Sequence, residues 1–276
     1  MPRHLDAVHT DGRLPVWFSL TIRQLGYQLR LLTRTTRSLL ARVLLPVLIL
    51  LMRGTDTSSR SAQFALVGGL AVLGLISSAF VTHANSLVIG RENGVLRRWR
   101  MTPLPPSCYF AGKIIATVVV ADASAVLTVV VASLTGAPVS VGGAVWMLIP
   151  MTGGALAWAS LGTAASALIP TATAAYPILT ITYLPVALVS GALGQVSQPG
   201  WLAAAANYLP ARPVIRAATH ALAHPFSWPV LTVGQLGVLT AWTVLGMTVA
   251  LLRFRWEPSR PAPSRHRTAR WRTRTA

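Results

Sequence analysis

Acidic side chains are almost absent from this chain. Six carboxylates, Asp6, Asp11, Asp56, Glu92, Asp122 and Glu257, are spread through 276 residues, and no two stand close enough in sequence to suggest a metal-binding pair. This scarcity excludes the clustered aspartates that a membrane prenyl or phosphoryl transferase places on diphosphate-bound magnesium. Cysteine is nearly missing as well: Cys108 alone permits no internal disulfide and no CxxC metal or redox pair. Lysine occurs once, and the pair Gly112-Lys113 is followed by Ile114 and preceded five positions earlier by Ser107, so it makes no phosphate-binding loop. His220 and His224 have the spacing of a zinc pair, but Ala221 stands where HExxH carries its general base, and the two histidines read as interfacial or structural. No long apolar run appears before Leu39, so the N-terminus lacks the compact pattern of a signal peptide and the chain is expected to stay whole.

What is abundant is hydrophobic. Such residues make up 53% of the chain and charged ones only 11%, against about 25% charged in an ordinary soluble domain. A chain of this composition cannot cover itself with polar surface. Its length suits several spans of about 20 residues with modest loops, hence one membrane domain. The net charge of +18 raises nucleic acid as a partner. The basic residues are instead distributed by membrane sidedness, which points to lipid headgroups and away from nucleic acid. The bias to Arg over Lys, with abundant Ala, Gly and Val, resembles the usage of a GC-rich bacterial genome.

Residues 1–15 read as a mobile arm. From Val16 to Ser38, Arg23, Arg30, Arg34 and Arg37 fall within an arc of about 60° at helical periodicity, opposite Phe18, Ile22, Leu25, Leu29 and Leu32. That pattern predicts an amphipathic helix lying in the membrane interface. Six spans follow: Leu39–Met52, Ala62–Val81, Ile114–Leu134, Ala144–Ile169, Ala172–Leu193 and Pro229–Leu252. The first is short for a hydrocarbon core of about 30 Å and must borrow from its flanks, with Arg42 snorkelling. Pro177 and Pro185 interrupt the fifth, and Pro229 suits the first turn of the sixth.

Segments 1–42, 90–113 and 253–276 hold 20 of the 24 Lys and Arg residues, so these segments and both termini are expected in the cytoplasm of a bacterial inner-membrane protein. The tail 253–276 is expected to hug anionic lipid. The connection 194–228 is too long for a turn, and its apolar piece Trp201–Leu209 is too short to span. It is expected to be an external re-entrant segment broken into short helices by Pro199, Gly200, Pro210 and Pro213, with Trp201, Tyr208 and Trp228 at headgroup level. Asp122, inside the third span, should face the bundle interior, as a polar contact in a substrate or proton path or as a protonated or hydrogen-bonded packing residue. Gly153, Gly154, Ala155, Ala159 and Gly162 would let helices approach closely.

The segment after the second span is the most informative. Arg91-Glu92-Asn93-Gly94-Val95-Leu96-Arg97-Arg98-Trp99-Arg100-Met101-Thr102-Pro103 reads as a short surface helix with Val88, Val95, Leu96 and Trp99 on an apolar side, ended by Pro103 at or before Thr102. The order acidic residue, Gly-x-Leu, two positions, bulky apolar residue, two positions, Thr-Pro-Leu, then Gly-Lys entering a helix resembles the type 2 ABC transporter permeases, including exporters of daunorubicin-like antibiotics. The family often has Arg where Asn93 stands here. With the interfacial helix, the six spans and the broken external loop, the resemblance extends over nearly the whole chain.

The resemblance implies that residues 90–106 form a coupling segment seated on a separate ATPase, with Arg91, Glu92, Gly94, Leu96, Arg97, Trp99, Arg100, Thr102 and Pro103 as its contact set. It implies a homodimer or heterodimer of permeases, with spans two and five lining the path, and an amphiphilic metabolite, antibiotic or lipid-linked cargo. The chain itself is not expected to be an enzyme or to hold a cofactor; ATP and magnesium belong on the partner. The expected architecture is therefore all-α and polytopic, with a cytoplasmic arm and interfacial helix (1–38), a six-span permease domain (39–252) and a basic tail (253–276). The alternative is a non-transporting membrane assembly or sensor protein.

Overall fold

The computed structural model describes residues 59–95, 98, 106–193 and 198–253, together with single helical positions at Ile22, Gly26 and Leu48. Apart from those positions, the interfacial helix, the first span and the tail beyond Arg253 lie outside the described residues. Everything regular that is described is helical. Arg60–Ile76 forms α1, a π-helical turn spans Ser77–Thr82, and His83–Glu92 forms α2. Then come α3 (Pro106–Leu134), α4 (Val141–Leu168), α5 (Ala172–Val189), the short α6 (Gly200–Ala206), α7 (Ala211–Ala223) and α8 (Val233–Arg253).

Five helical stretches are long and apolar enough to cross a membrane: Arg60–Glu92, Cys108–Leu134, Val141–Leu168, Ala172–Val189 and Val233–Arg253. The chain is thus an all-α polytopic membrane protein, and these stretches correspond to the second through sixth expected spans. Their limits differ from the sequence reading. The second does not stop at Val81. The π turn absorbs one extra residue and the helix runs on to Glu92, a rod of 33 residues and about 50 Å at 1.5 Å per residue. The third begins eight positions before Ile114, so Gly112 and Lys113 sit inside α3 rather than leading into it. The sixth begins at Val233, not Pro229; Thr232 and Gln235 exchange side-chain to backbone hydrogen bonds there, the reciprocal arrangement of a capped helix start.

The rod is the centre of the bundle. Eleven consecutive-to-core residues from Leu66 to Ile76 are buried, and α3, α4 and α7 pack around them. Small residues set the close contacts, as van der Waals packing rather than water exclusion drives helix association in lipid. A Cβ on Gly69 would come within 2.5 Å of the Ala192 carbonyl oxygen, and one on Gly162 within 3.1 Å of the Ala79 and Phe80 carbonyls of the π turn. Gly154 faces Val214 on α7 in the same way. Ala155 and Ala159 are fully buried, as the small-residue reading of the fourth span anticipates.

The connection between α5 and α8 is broken into the two helices α6 and α7, with Pro199 and Pro210 as their N-caps. One face of α7 is apolar and buried against α1 and α4. Trp201, Tyr208 and Trp228 are exposed, and Trp228 also stands 6.3 Å from Trp146, ring centre to ring centre.

Candidate functional site

The end of the rod carries the first three expected coupling residues. Its last turn closes when the Asn93 N–H donates to Ile89 O (2.9 Å) and the Gly94 N–H to Arg91 O (3.2 Å). Gly94 has φ +68°, in the left-handed region that glycine enters without a Cβ penalty. Helical bonding resumes at once, the Arg98 N–H donating to Gly94 O at 3.1 Å. Gly94 is therefore a bend between the rod and a new helical turn. One expectation is corrected here. Val88 lies on the rod side of the bend, fully buried in the bundle, and cannot join the apolar side assigned to Val95. Leu96, Arg97, Trp99, Arg100, Thr102 and Pro103 lie outside the described residues.

Arg91 and Glu92 both bond to the permease itself. Arg91 is buried, and its guanidinium donates to the carbonyls of Ser166 (3.1 Å) and Ile169, which close the C-terminal end of α4. Glu92 Oε1 accepts from the backbone N–H of Ala172 (2.8 Å), the first residue of α5. The cation thus satisfies orphan carbonyls at a negative helix end, and the anion an orphan N–H at a positive one. Two adjacent side chains clamp the α4–α5 connection to the rod. Sequence reasoning assigned both residues outward. A paired Arg-Glu ten residues past an apolar run, facing a two-residue connection with no charge of its own, is the signal that could have found the clamp.

A buried polar node lies nine residues further up. His83, at the end of the π turn, places Nδ1 2.7 Å from Thr117 Oγ1 on α3 and Nε2 3.0 Å from Thr163 Oγ1 on α4. Both threonines also back-bond to their own helices, Thr117 to Lys113 O and Thr163 to Ala159 O. With those hydrogens committed, both hydroxyl oxygens are left to accept from the ring. A neutral imidazole has one N–H, so one threonine must turn its hydrogen toward the ring instead. The sequence reading passed over His83, because it ended the span at Val81 and left the histidine in a connection.

Asp122 sits midway along α3, half-buried against α4. Thr152 Oγ1 donates to its Oδ2 at 2.9 Å, while Oδ1 is buried without a partner among the described residues. Removing the one donor in Thr152→Val should cost about 1 kcal/mol, within the range measured for hydrogen bonds between membrane helices. Thr152→Val with Asp122→Leu should recover that loss, because no polar group then remains unpaired. Thermal unfolding in mild detergent checks the pair.

Asp122 and the Arg91–Glu92 clamp are separate features, one mid-bundle and one at its end. Of the two helices expected to line a path, α5 leaves Tyr176, Ile178, Ile181, Leu184 and Leu188 exposed, whereas the rod is 83% buried over its most apolar window.

No curated protein compared with the chain matches it. The family model described as ABC-2 type transporter matches residues 21–223, a stretch that takes in the rod, the clamp and α3 to α5 and ends with α7. Multi-pass helical architecture and family agree, and the chain belongs to the ABC-2 type transporter family, as a membrane permease component.

Proposed function

We propose that this chain is the permease subunit of an ATP-driven exporter. It moves an amphiphilic metabolite, antibiotic or lipid-linked substrate out of a bacterial cell, as a homodimer or heterodimer working with a separate ATPase. Family membership supports the permease role and an ATPase as the kind of partner. The observation that carries the coupling reading is the clamp. A helix beginning at Gly94 is attached to the rod Arg60–Glu92, and Arg91 and Glu92 tie the same point to both α4 and α5. A push on that helix by a partner would be shared among three spans instead of being absorbed by one loop. Leu96 and Trp99 supply the apolar anchor for the ATPase groove, with Arg97 and Arg100 pairing with acidic groups at its rim. The direct test is co-purification with candidate ATPases, followed by cargo-stimulated ATP turnover in liposomes. A chain that neither retains an ATPase nor stimulates one is not an exporter subunit.

Residues 90–113 and both termini face the cytoplasm in this reading, since the opposite orientation would move twenty basic residues to the disfavoured side. With Cys108 replaced, a cysteine at Ser197 should react with an impermeant maleimide from outside intact cells, and one at Ser264 should react only after permeabilisation. The reverse pattern at both positions would invert the topology and remove the coupling segment from the ATPase.

A further inference from the structure

At the end of the bundle opposite the clamp, α7 borders an open cavity of about 440 Å³, with the start of α1 and the chain after α5 as its other walls. Four of its lining residues, Arg212, Arg216, His220 and His224, recur at every fourth position, so α7 offers one polar, basic stripe beside its buried apolar face. The two imidazoles stand 5.1 Å apart, centre to centre. Arg212 is held in place by donating to Ala203 O at 3.0 Å. Arg216 makes no hydrogen bond and no ion pair among the described residues, and none of these lining the cavity is a carboxylate. Burial, and after it the neighbouring Arg216 charge, pushes the Arg212 guanidinium below its ordinary value.

The wall facing the stripe is also incomplete. Ser190, 4% exposed, lines the cavity with a hydroxyl that has no partner among the described residues. Gln198 spends its amide N–H on Val189 O, and its buried carbonyl oxygen has no partner among the described residues. Buried polar groups are rarely left unsatisfied in a finished structure. Here a hydroxyl donor and a carbonyl acceptor border the same cavity as a free guanidinium, with Phe64 and Ile215 supplying apolar surface beside them.

We propose that this cavity binds a phosphate-class anion carrying a hydroxyl, as in the headgroup of an anionic phospholipid. Arg216 and Arg212 would hold the phosphate oxygens, Ser190 would donate to the same group, and Gln198 Oε1 would accept from the hydroxyl. Guanidinium suits this task because its planar donors match phosphate oxygens. The site requires neither the ATPase nor a direction of transport, so its failure would leave the exporter reading untouched.

The test uses the full chain purified in mild detergent, with binding followed by the shift in thermal unfolding across titrations of three probes: dioctanoyl-phosphatidylglycerol, dioctanoylglycerol and inorganic phosphate. The phosphatidylglycerol should bind and the uncharged diglyceride should not. Arg216→Gln should weaken binding at least tenfold, Ser190→Ala should weaken it less, and Arg216→Lys, which keeps the charge but not the planar fork, should restore part of the loss. Binding of phosphatidylglycerol far tighter than free phosphate assigns the site to lipid or a lipid-like cargo. Equal affinity for both assigns it to the free anion, and in each case dependence on Arg216 upholds the site. Wild-type affinity in both Arg216→Gln and Ser190→Ala, or binding of the diglyceride as tight as that of the phospholipid, would overturn it.

Discussion

Arg91→Ala is expected to leave the ATPase bound and yet abolish most efflux, the opposite dissociation from that expected of Leu96→Ala with Trp99→Ala. In the proposed coupling scheme the double variant removes the anchor that docks the ATPase, so co-purification and efflux fall together. Arg91 acts one step later. Its guanidinium joins the rod to Ser166 O and Ile169 O at the end of α4, and bonds of this charge-assisted kind are each worth about 1.5–3 kcal/mol. Without them the rod can move while α4 does not follow. Losing even ~1.4 kcal/mol of coupling reduces a linked equilibrium about tenfold, and a fall in efflux of at least that size is expected. Arg91→Lys should recover part of it, since an ammonium reaches one carbonyl but lacks the planar fork that serves two. Glu92→Gln should be milder, because Glu92 is exposed and its amide replacement still accepts from the Ala172 N–H. Measuring ATPase retention and efflux on the same preparations separates the two steps. Wild-type efflux in Arg91→Ala would reduce the clamp to a local cap.

The clamp also shows where a sequence stops being readable. Composition and hydropathy specified a polytopic helical protein, since 53% hydrophobic content leaves no soluble alternative, and they placed one end of each described span to within a few residues. They failed where helices continue past the apolar run. Nothing in hydropathy carries the rod from Val81 to Glu92, because His83, Asn85, Ser86 and Arg91 are polar. What sustains the helix there is tertiary: Thr117 and Thr163 receive the histidine, and the carbonyls of α4 receive the arginine. A partner eighty positions away is invisible to a window of twenty. Asp122 was legible as an inward-facing carboxylate because a charge in lipid has few other choices, but its donor, Thr152, could not be chosen from among the hydroxyls of four other helices. The stripe on α7 was half legible. The spacing of His220 and His224 reads in sequence as a zinc motif lacking its base, while its continuation through Arg216 and Arg212 matters only with Ser190 and Gln198 across the cavity.

The small residues give the sharpest contrast between pattern and position, and α8 supplies a test in which the sign reverses along one helix. Only Leu239, Gly246 and Ala250 of α8 are buried, a single seam against α4, while Val233, Val244, Leu251 and Leu252 stay exposed. A Cβ on Gly246 would lie 2.8 Å from both the Leu161 nitrogen and the Ser160 carbonyl carbon, backbone atoms that cannot swing aside. At Gly234 and Gly237 the same atom would meet nothing within 4 Å. Gly237→Ala should therefore be neutral or stabilising by up to ~1 kcal/mol, the helix-propensity gain of alanine over glycine. Gly246→Ala should destabilise by about 1–3 kcal/mol through overpacking. Gly246→Leu should do far more, prising α8 from α4 and straining the Trp242 Nε1–H bond to Tyr208 O (2.7 Å) that ties it to the chain between α6 and α7. The expected result is a chain that inserts, because hydropathy is preserved, but unfolds at much lower temperature in detergent and supports no efflux. Equal unfolding midpoints for Gly237→Ala and Gly246→Ala would mean that α8 does not rest on this seam, and that the surface now called its open face is where it packs.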